Sequence, residues 1–196
     1  MRPRFGRCFL MSAALAAAVL SGCAGREVKP EDRAPELSAY LPLAVGNTWL
    51  YERELLGEKG EHRVRLVREE AGFFYDEAGN ALSVDAYGIR DPKRYLLRHP
   101  VEAGREWTTV VSVSSMERYR ILDAGFRCEV PAGAFSDCVR VEARSRIDAE
   151  RSMVNVITFA PGVGMVRFDF SLDAKGERIP QGRMVLKRFE PAKPGS

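Results

Sequence analysis

The chain has 196 residues, of which 45% are hydrophobic, enough for one domain with a proper core and short extensions. Its 30 Lys and Arg exceed its 27 Asp and Glu by three, and Arg2, Arg4 and Arg7 alone make up that surplus. The remainder is balanced, so the charge pattern excludes nucleic acid as a partner.

Behind those arginines, Cys8 to Leu20 is apolar and Ala-rich. A bilayer-crossing helix needs roughly 20 such residues, so residues 1–22 read as a signal peptide, not a permanent span. The run closes on Leu20-Ser21-Gly22-Cys23, a lipobox. Gly22 is the small residue that signal peptidase II needs before the cut, and Leu20 the branched one three before the cysteine. The Cys23 thiol is then the nucleophile for thioether lipidation. An ordinary secretory signal with a coincidental cysteine is the alternative. One acyl chain such as palmitate binds a membrane only marginally, at about 0.8 kcal/mol per buried CH₂, so firm attachment takes two or three. Ala24 and Gly25 stand where an inner-membrane retention signal would carry Asp, which predicts an outer-membrane protein facing the periplasm. Residues 23–39 are polar, with Pro30 and Pro35 and no apolar period, and read as a lipidated flexible tether.

From Tyr40 to about residue 190 the dominant period is two. Trp107, Thr109, Val111 and Val113 alternate with Thr108, Ser112 and Ser114; Val139, Val141, Ala143, Ser145 and Ile147 alternate with charges; Val166, Phe168 and Phe170 flank Arg167 and Asp169. Turn chemistry punctuates the runs at 57–60, 77–80, 131–133, 161–164 and 173–176. About nine strands in a meander result. No window sustains an amphipathic helix to cover them. The expected fold is all-β, a single antiparallel meander curled into a barrel or half-barrel, with a two-sheet sandwich as runner-up. Residues 191–196 read as a disordered tail.

Pro42-x₃-Gly46-x₂-Trp49 and Pro100-x₃-Gly104-x₂-Trp107 share one spacing, 58 residues apart. Each tryptophan opens an alternating run on its apolar side, so core packing is the expected role, against a stacking platform for a ligand. The match also admits duplication of a half-domain. Three stretches, Tyr40–Tyr51 (YLPLAVGNTWLY), Val130–Val141 (VPAGAFSDCVRV) and Phe159–Val166 (FAPGVGMV), resemble the TapB-like family of small bacterial lipoproteins. The resemblance implies an extracytoplasmic β-rich domain with no established reaction and no catalytic residues to carry over.

Once Cys8 leaves with the signal and Cys23 takes lipid, Cys128 and Cys138 remain, an even pair in an oxidising compartment. A disulfide is expected across a hairpin centred on Gly133; free thiols or a redox pair are the alternatives. That register mixes Phe126, Cys128 and Val130 with Cys138, Arg140 and Glu142 on one side, which a bulge near Gly133 would repair. Two histidines, His62 and His99, sit in no ligand motif, so neither metal nor cofactor is expected. No nucleophile elbow, metalloprotease helix or phosphate loop occurs, and the Glu69-Glu70 and Asp76-Glu77 neighbours point to opposite faces of a strand. The chain is expected not to be an enzyme, with a weakly catalytic hydrolase as a distant reading. Arg118, Arg120, Arg140, Arg144, Arg146 and Arg167 on wet faces read either as protection against aggregation or as a surface for anionic headgroups. Two functions stay open. One is a membrane-tethered accessory module that meets a protein partner in the envelope. The other is a carrier or sensor for an acyl chain inside the curled sheet, disfavoured if Trp49, Trp107, Phe159, Phe168 and Phe170 fill the interior.

Overall fold

The computed structural model describes residues 35–113 and 115–193, so the signal peptide, the lipobox Leu20, Ser21, Gly22 and Cys23, and most of the tether lie outside the described residues. Twelve strands follow in sequence: β1 (Thr48–Leu55), β2 (Glu58–Glu70), β3 (Phe73–Asp76), β4 (Ala81–Asp85), β5 (Gly88–Arg90), β6 (Tyr95–Arg98), β7 (Glu106–Ser112), β8 (Ser115–Val130), β9 (Gly133–Arg146), β10 (Arg151–Ala160), β11 (Gly164–Ala174) and β12 (Glu177–Glu190). All are antiparallel in one sheet of order β6-β5-β4-β3-β2-β1-β12-β11-β10-β9-β8-β7. Two six-stranded meanders are thus joined where β1 pairs with β12. The sequence pattern predicted about nine strands. The difference lies in β3 to β6, whose three to five residues each are too few for alternation to register.

A sheet with one apolar face and no helix to cover it must close on itself. Among the described residues the helical structure is a 3-10 turn, Leu37–Tyr40, and no helix is long and apolar enough to cross a membrane. The end strands β6 and β7 share no ladder. Even so, Trp107 Nε1 of β7 donates to the Tyr95 carbonyl of β6 at 3.0 Å. The result is a nearly closed barrel, and the sandwich is not formed. One core cluster spans both ends of the sheet, with Ile89 and Leu97 from one and Trp107, Tyr119, Ile121 and Val141 from the other. A second gathers Trp49, Tyr51, Leu66, Val166 and Leu186.

The two Pro-Gly-Trp segments adopt the same geometry. Gly46 and Gly104 both have positive φ, 100° and 87°. Their amides donate to the carbonyls of Leu66 and Ile121, each at 2.8 Å, and those residues donate back to Asn47 and Arg105. Trp49 stacks on Phe189 and Trp107 on Tyr119, with ring centroids 5.1 and 5.2 Å apart. Both indoles are buried and bonded to carbonyls, so they are core residues and not a platform.

Bulges correct two expected registers. The β8–β9 turn is Pro131–Ala132, and Cys128 faces Phe135 while Cys138 faces Phe126. Asp137, at φ 56°, and Gly125, at φ 74°, mark the extra residues that shift the ladder. The cysteines therefore join diagonally, as a disulfide with Cα atoms 6.1 Å apart. The same shifts send Cys138 and Phe126 into the second cluster while Val139 and Val141 stay in the first, so the repair sits at Gly125 and Asp137 and not at Gly133. In β11, a shift opposite Thr158/Phe159 leaves Val166 without a ladder partner. It enters the second cluster while Phe168 packs against the first, so Val166 does not continue the Phe168–Phe170 row.

Both ends of the domain are tied down further out than the pattern predicts. Leu37 packs against the core, and the Ala39 carbonyl accepts from the Gly162 amide at 2.7 Å. At the other end the Ala192 amide donates to Asn47 Oδ1 at 2.7 Å, so Pro191–Lys193 is held and not frayed.

Closure through Trp107 sets a test. Trp107→Ala is expected to cost about 3–5 kcal/mol. Trp107→Phe, which keeps a ring beside Tyr119 but loses the bond to Tyr95, should cost about 1 kcal/mol. Urea midpoints of both variants check the difference; equal losses would assign the whole effect to the hydrogen bond.

Candidate functional site

The concave face is not filled along its whole length. Ile157 of β10, Phe168 of β11 and Met184 of β12 are cross-strand neighbours in one row. Leu82 of β4 and Leu96 of β6 face them from the other end of the sheet, leaving an open cleft of about 690 Å³ that Met165 also lines. That size falls among small-molecule sites, which run about 300–1,000 Å³. Of the five aromatic residues expected to fill the interior, Trp49, Trp107 and Phe159 do so. Phe168 and Phe170 are half-buried, with centroids 5.7 Å apart, and leave the interior partly open. Phe170 presses so closely on the neighbouring backbone that a Cβ on Gly182 would lie 2.5 Å from its Cζ, so only glycine fits there.

The lip of the cleft is the 91–94 turn between β5 and β6. Asp91 Oδ1 accepts from the amides of Lys93 and Arg94 at 2.7 and 2.9 Å, and Oδ2 from Arg94 Nε at 2.9 Å. Arg94 Nη1 then reaches across to Glu117 of β8, whose second oxygen accepts from the Tyr119 hydroxyl. Burial works against the Arg94 charge, but Glu117 and Asp91 overcompensate and the guanidinium is held above its usual pKa. Burial, and then the bond to Glu117, push the Tyr119 phenol well up, so it stays a donor. Lys93, exposed beside this network, makes no ion pair among the described residues.

Other side chains singled out by the sequence take structural places. Asp76 Oδ1 accepts from the amides of Ala78 and Asn80 and so folds a turn, and Glu77 pairs with Arg63 at 3.0 Å. His62 and His99 are exposed. Among the described residues no group of three or more His, Cys, Asp or Glu is placed to hold a metal ion. The wet-face arginines are mostly spent on carboxylates: Arg120 on Glu106, Arg140 on Asp123, Arg167 on Asp169, and Arg144 on both Glu142 and Asp173. Arg146 donates to the Asp148 carbonyl, while Arg118 makes no ion pair among the described residues. The cleft itself went unread in the sequence, since Leu82 and Leu96 sit on strands too short to show a period.

No family model matches this chain, and no curated protein matches it. The TapB-like resemblance therefore rests on its three stretches alone. Among solved structures, a candidate lipoprotein from Parabacteroides distasonis is similar at 12% identity, over 80% of this chain and 100% of its own, with a TM-score of 0.42. A likeness of that size fixes neither family nor function.

The arginine face yields a pH prediction through Glu142. Burial raises its pKa, but hydrogen bonds from Arg144 and Arg178 outweigh that and hold it below the ordinary glutamate value. A carboxyl depressed on folding adds stability above its unfolded pKa and loses it as pH falls through the folded one. Glu142→Gln should therefore cost about 1–2 kcal/mol at neutral pH, discounted for its half-exposed partners, and converge on the parent in acid. Denaturant midpoints across pH check this; a gap that persists in acid would show that the charge is not its source.

Proposed function

We propose that this chain is a lipid-anchored lipoprotein of the cell envelope, held in the outer membrane through acyl chains at Cys23, and that its β domain is a non-enzymatic accessory module for a protein partner. The observation that carries the reading is the Leu20-Ser21-Gly22-Cys23 box behind a basic and apolar leader, followed by a polar stretch that leads into the 3-10 turn at Leu37. The resemblance to the TapB-like lipoproteins supports the same placement. A surface for a partner is offered by the β7–β8 hairpin. Val110, Val113 and Met116 are 68%, 108% and 50% exposed there, beside an end strand with no ladder neighbour on its outer side. Contiguous exposed apolar side chains on an open edge are the form that strand-pairing partners recognise.

Two measurements test the reading. Cys23→Ala should abolish incorporation of labelled palmitate and leave an uncleaved precursor or move the protein to the soluble fraction; undiminished incorporation would refute the anchor. A photoreactive side chain at Val113 should crosslink one envelope protein in cells, and Val110→Asp should remove that product. Crosslinking that is the same from an exposed position on the opposite end, such as Glu129, would count against the hairpin.

A further inference from the structure

We propose that β7 pairs with the β7 of a second copy of this chain, antiparallel about a two-fold axis at Thr108, and that the protein is thereby a closed dimer. The inference rests on the reading of the β7–β8 hairpin as a partner surface and deepens it by naming the partner. The two end strands, each without an outer ladder neighbour among the described residues, are built differently. β6 is four residues long, with Arg94 before it and Arg98 at its end, and its Tyr95 carbonyl is taken by the Trp107 indole. Shortness, charge and cover are means by which an edge avoids pairing. β7 lacks them: from Trp107 to Met116 no residue is charged and none is proline, and Thr, Val and Trp favour extended backbone. Its register shift lies between Val110 and Ser112, close to the turn, and leaves Glu106–Val110 a regular run whose middle residue is Thr108. A two-fold axis there sets Thr108 against Thr108, Trp107 against Thr109 and Glu106 against Val110, so no like charges oppose each other across the new ladder. Glu106 is already answered by Arg120 of its own chain at 3.7 Å. Arg118, beside Thr108 on β8, stands three strand spacings from its counterpart, about 14 Å, which exceeds the screening length at physiological salt. An edge without charge gives a foreign strand no sign to read, whereas it fits itself. With β6 covered, the pairing uses one edge per copy and closes at two copies instead of running on as a filament. Val110 and Met116, ladder neighbours and both exposed, flank the junction and lose part of their contact with water in it.

The test uses the full chain in the membranes of its own cells, as two forms carrying different tags. The two forms should co-purify. Thr108→Cys should give a disulfide-linked product of two copies under mild oxidation, whereas Lys59→Cys, equally exposed on β2, should give none. Thr108→Lys and Thr108→Glu each place like charges at the axis, and either alone should lower co-purification by about tenfold. One tagged form with Thr108→Lys and the other with Thr108→Glu should associate again, a recovery that a misfolded strand cannot produce. A Thr108→Cys product no greater than that of Lys59→Cys, parent-like association of the Thr108→Lys copies, or a mixed pair that stays apart would each overturn the dimer. Capture of a different envelope protein by a photoreactive side chain at Val113, with no product of two copies, overturns the dimer and leaves the hairpin a partner surface. No product of either kind removes both readings.

Discussion

The ends of a twelve-stranded sheet are bridged by an indole hydrogen bond and a partly exposed ion pair, from Trp107 to the Tyr95 carbonyl and from Arg94 to Glu117. Neither contact belongs to a strand ladder. Both nonetheless decide whether Ile89 and Leu97 meet Ile121 and Val141, and without that meeting the inner face of an uncovered sheet stays in water. The cleft follows from the same closure. The wall made by β8 to β12 has strands of ten to sixteen residues, whereas β3 to β6 have three to five. At about 3.3 Å per residue the short wall cannot cover the long one. Ile157 belongs to the first core cluster, and Phe168, Phe170 and Met184, half-buried, lie where cover runs out.

That asymmetry sits on top of a repeat. Each six-stranded meander begins with a proline, a left-handed glycine and a tryptophan, and in each the glycine amide and the following carbonyl bracket one buried residue of the next strand, Leu66 or Ile121. The glycine is needed because a side chain at φ near 90° is strained. The two meanders then part company, the first shortening into the small flap of β3 to β6 and the second lengthening into the β8–β12 wall. The strands run in the same order through both halves, which puts the first strand of one, β1, at the centre of the sheet and the first strand of the other, β7, at its end.

What the sequence made legible tracks how many residues share one environment. Long strands with one wet face, such as β9, write their alternation plainly, and Val139, Val141 and Ala143 are indeed buried. The tryptophan echo was legible because glycine, proline and indole each have few alternatives in that turn. The need for a bulge in the β8–β9 hairpin was legible too, but its position was not, since one extra residue at Asp137 or Gly125 reverses the facing of everything beyond it while leaving composition unchanged. Val166 misled for this reason. Half-burial of Phe168 was illegible for another: its exposure depends on how far a flap remote in sequence extends over it.

Charge explains why the surface offers so little else. Acids and arginines occur in near-equal number, and the structure uses most of them against each other or against turn amides, as at Asp76, Asp85, Asp91 and Asp148. A carboxylate that accepts two backbone amides stabilises a tight turn. Asp91 carries that logic furthest. It accepts from the amides of its own turn and from Arg94, which also reaches Glu117, and so ties the turn between β5 and β6 to β8.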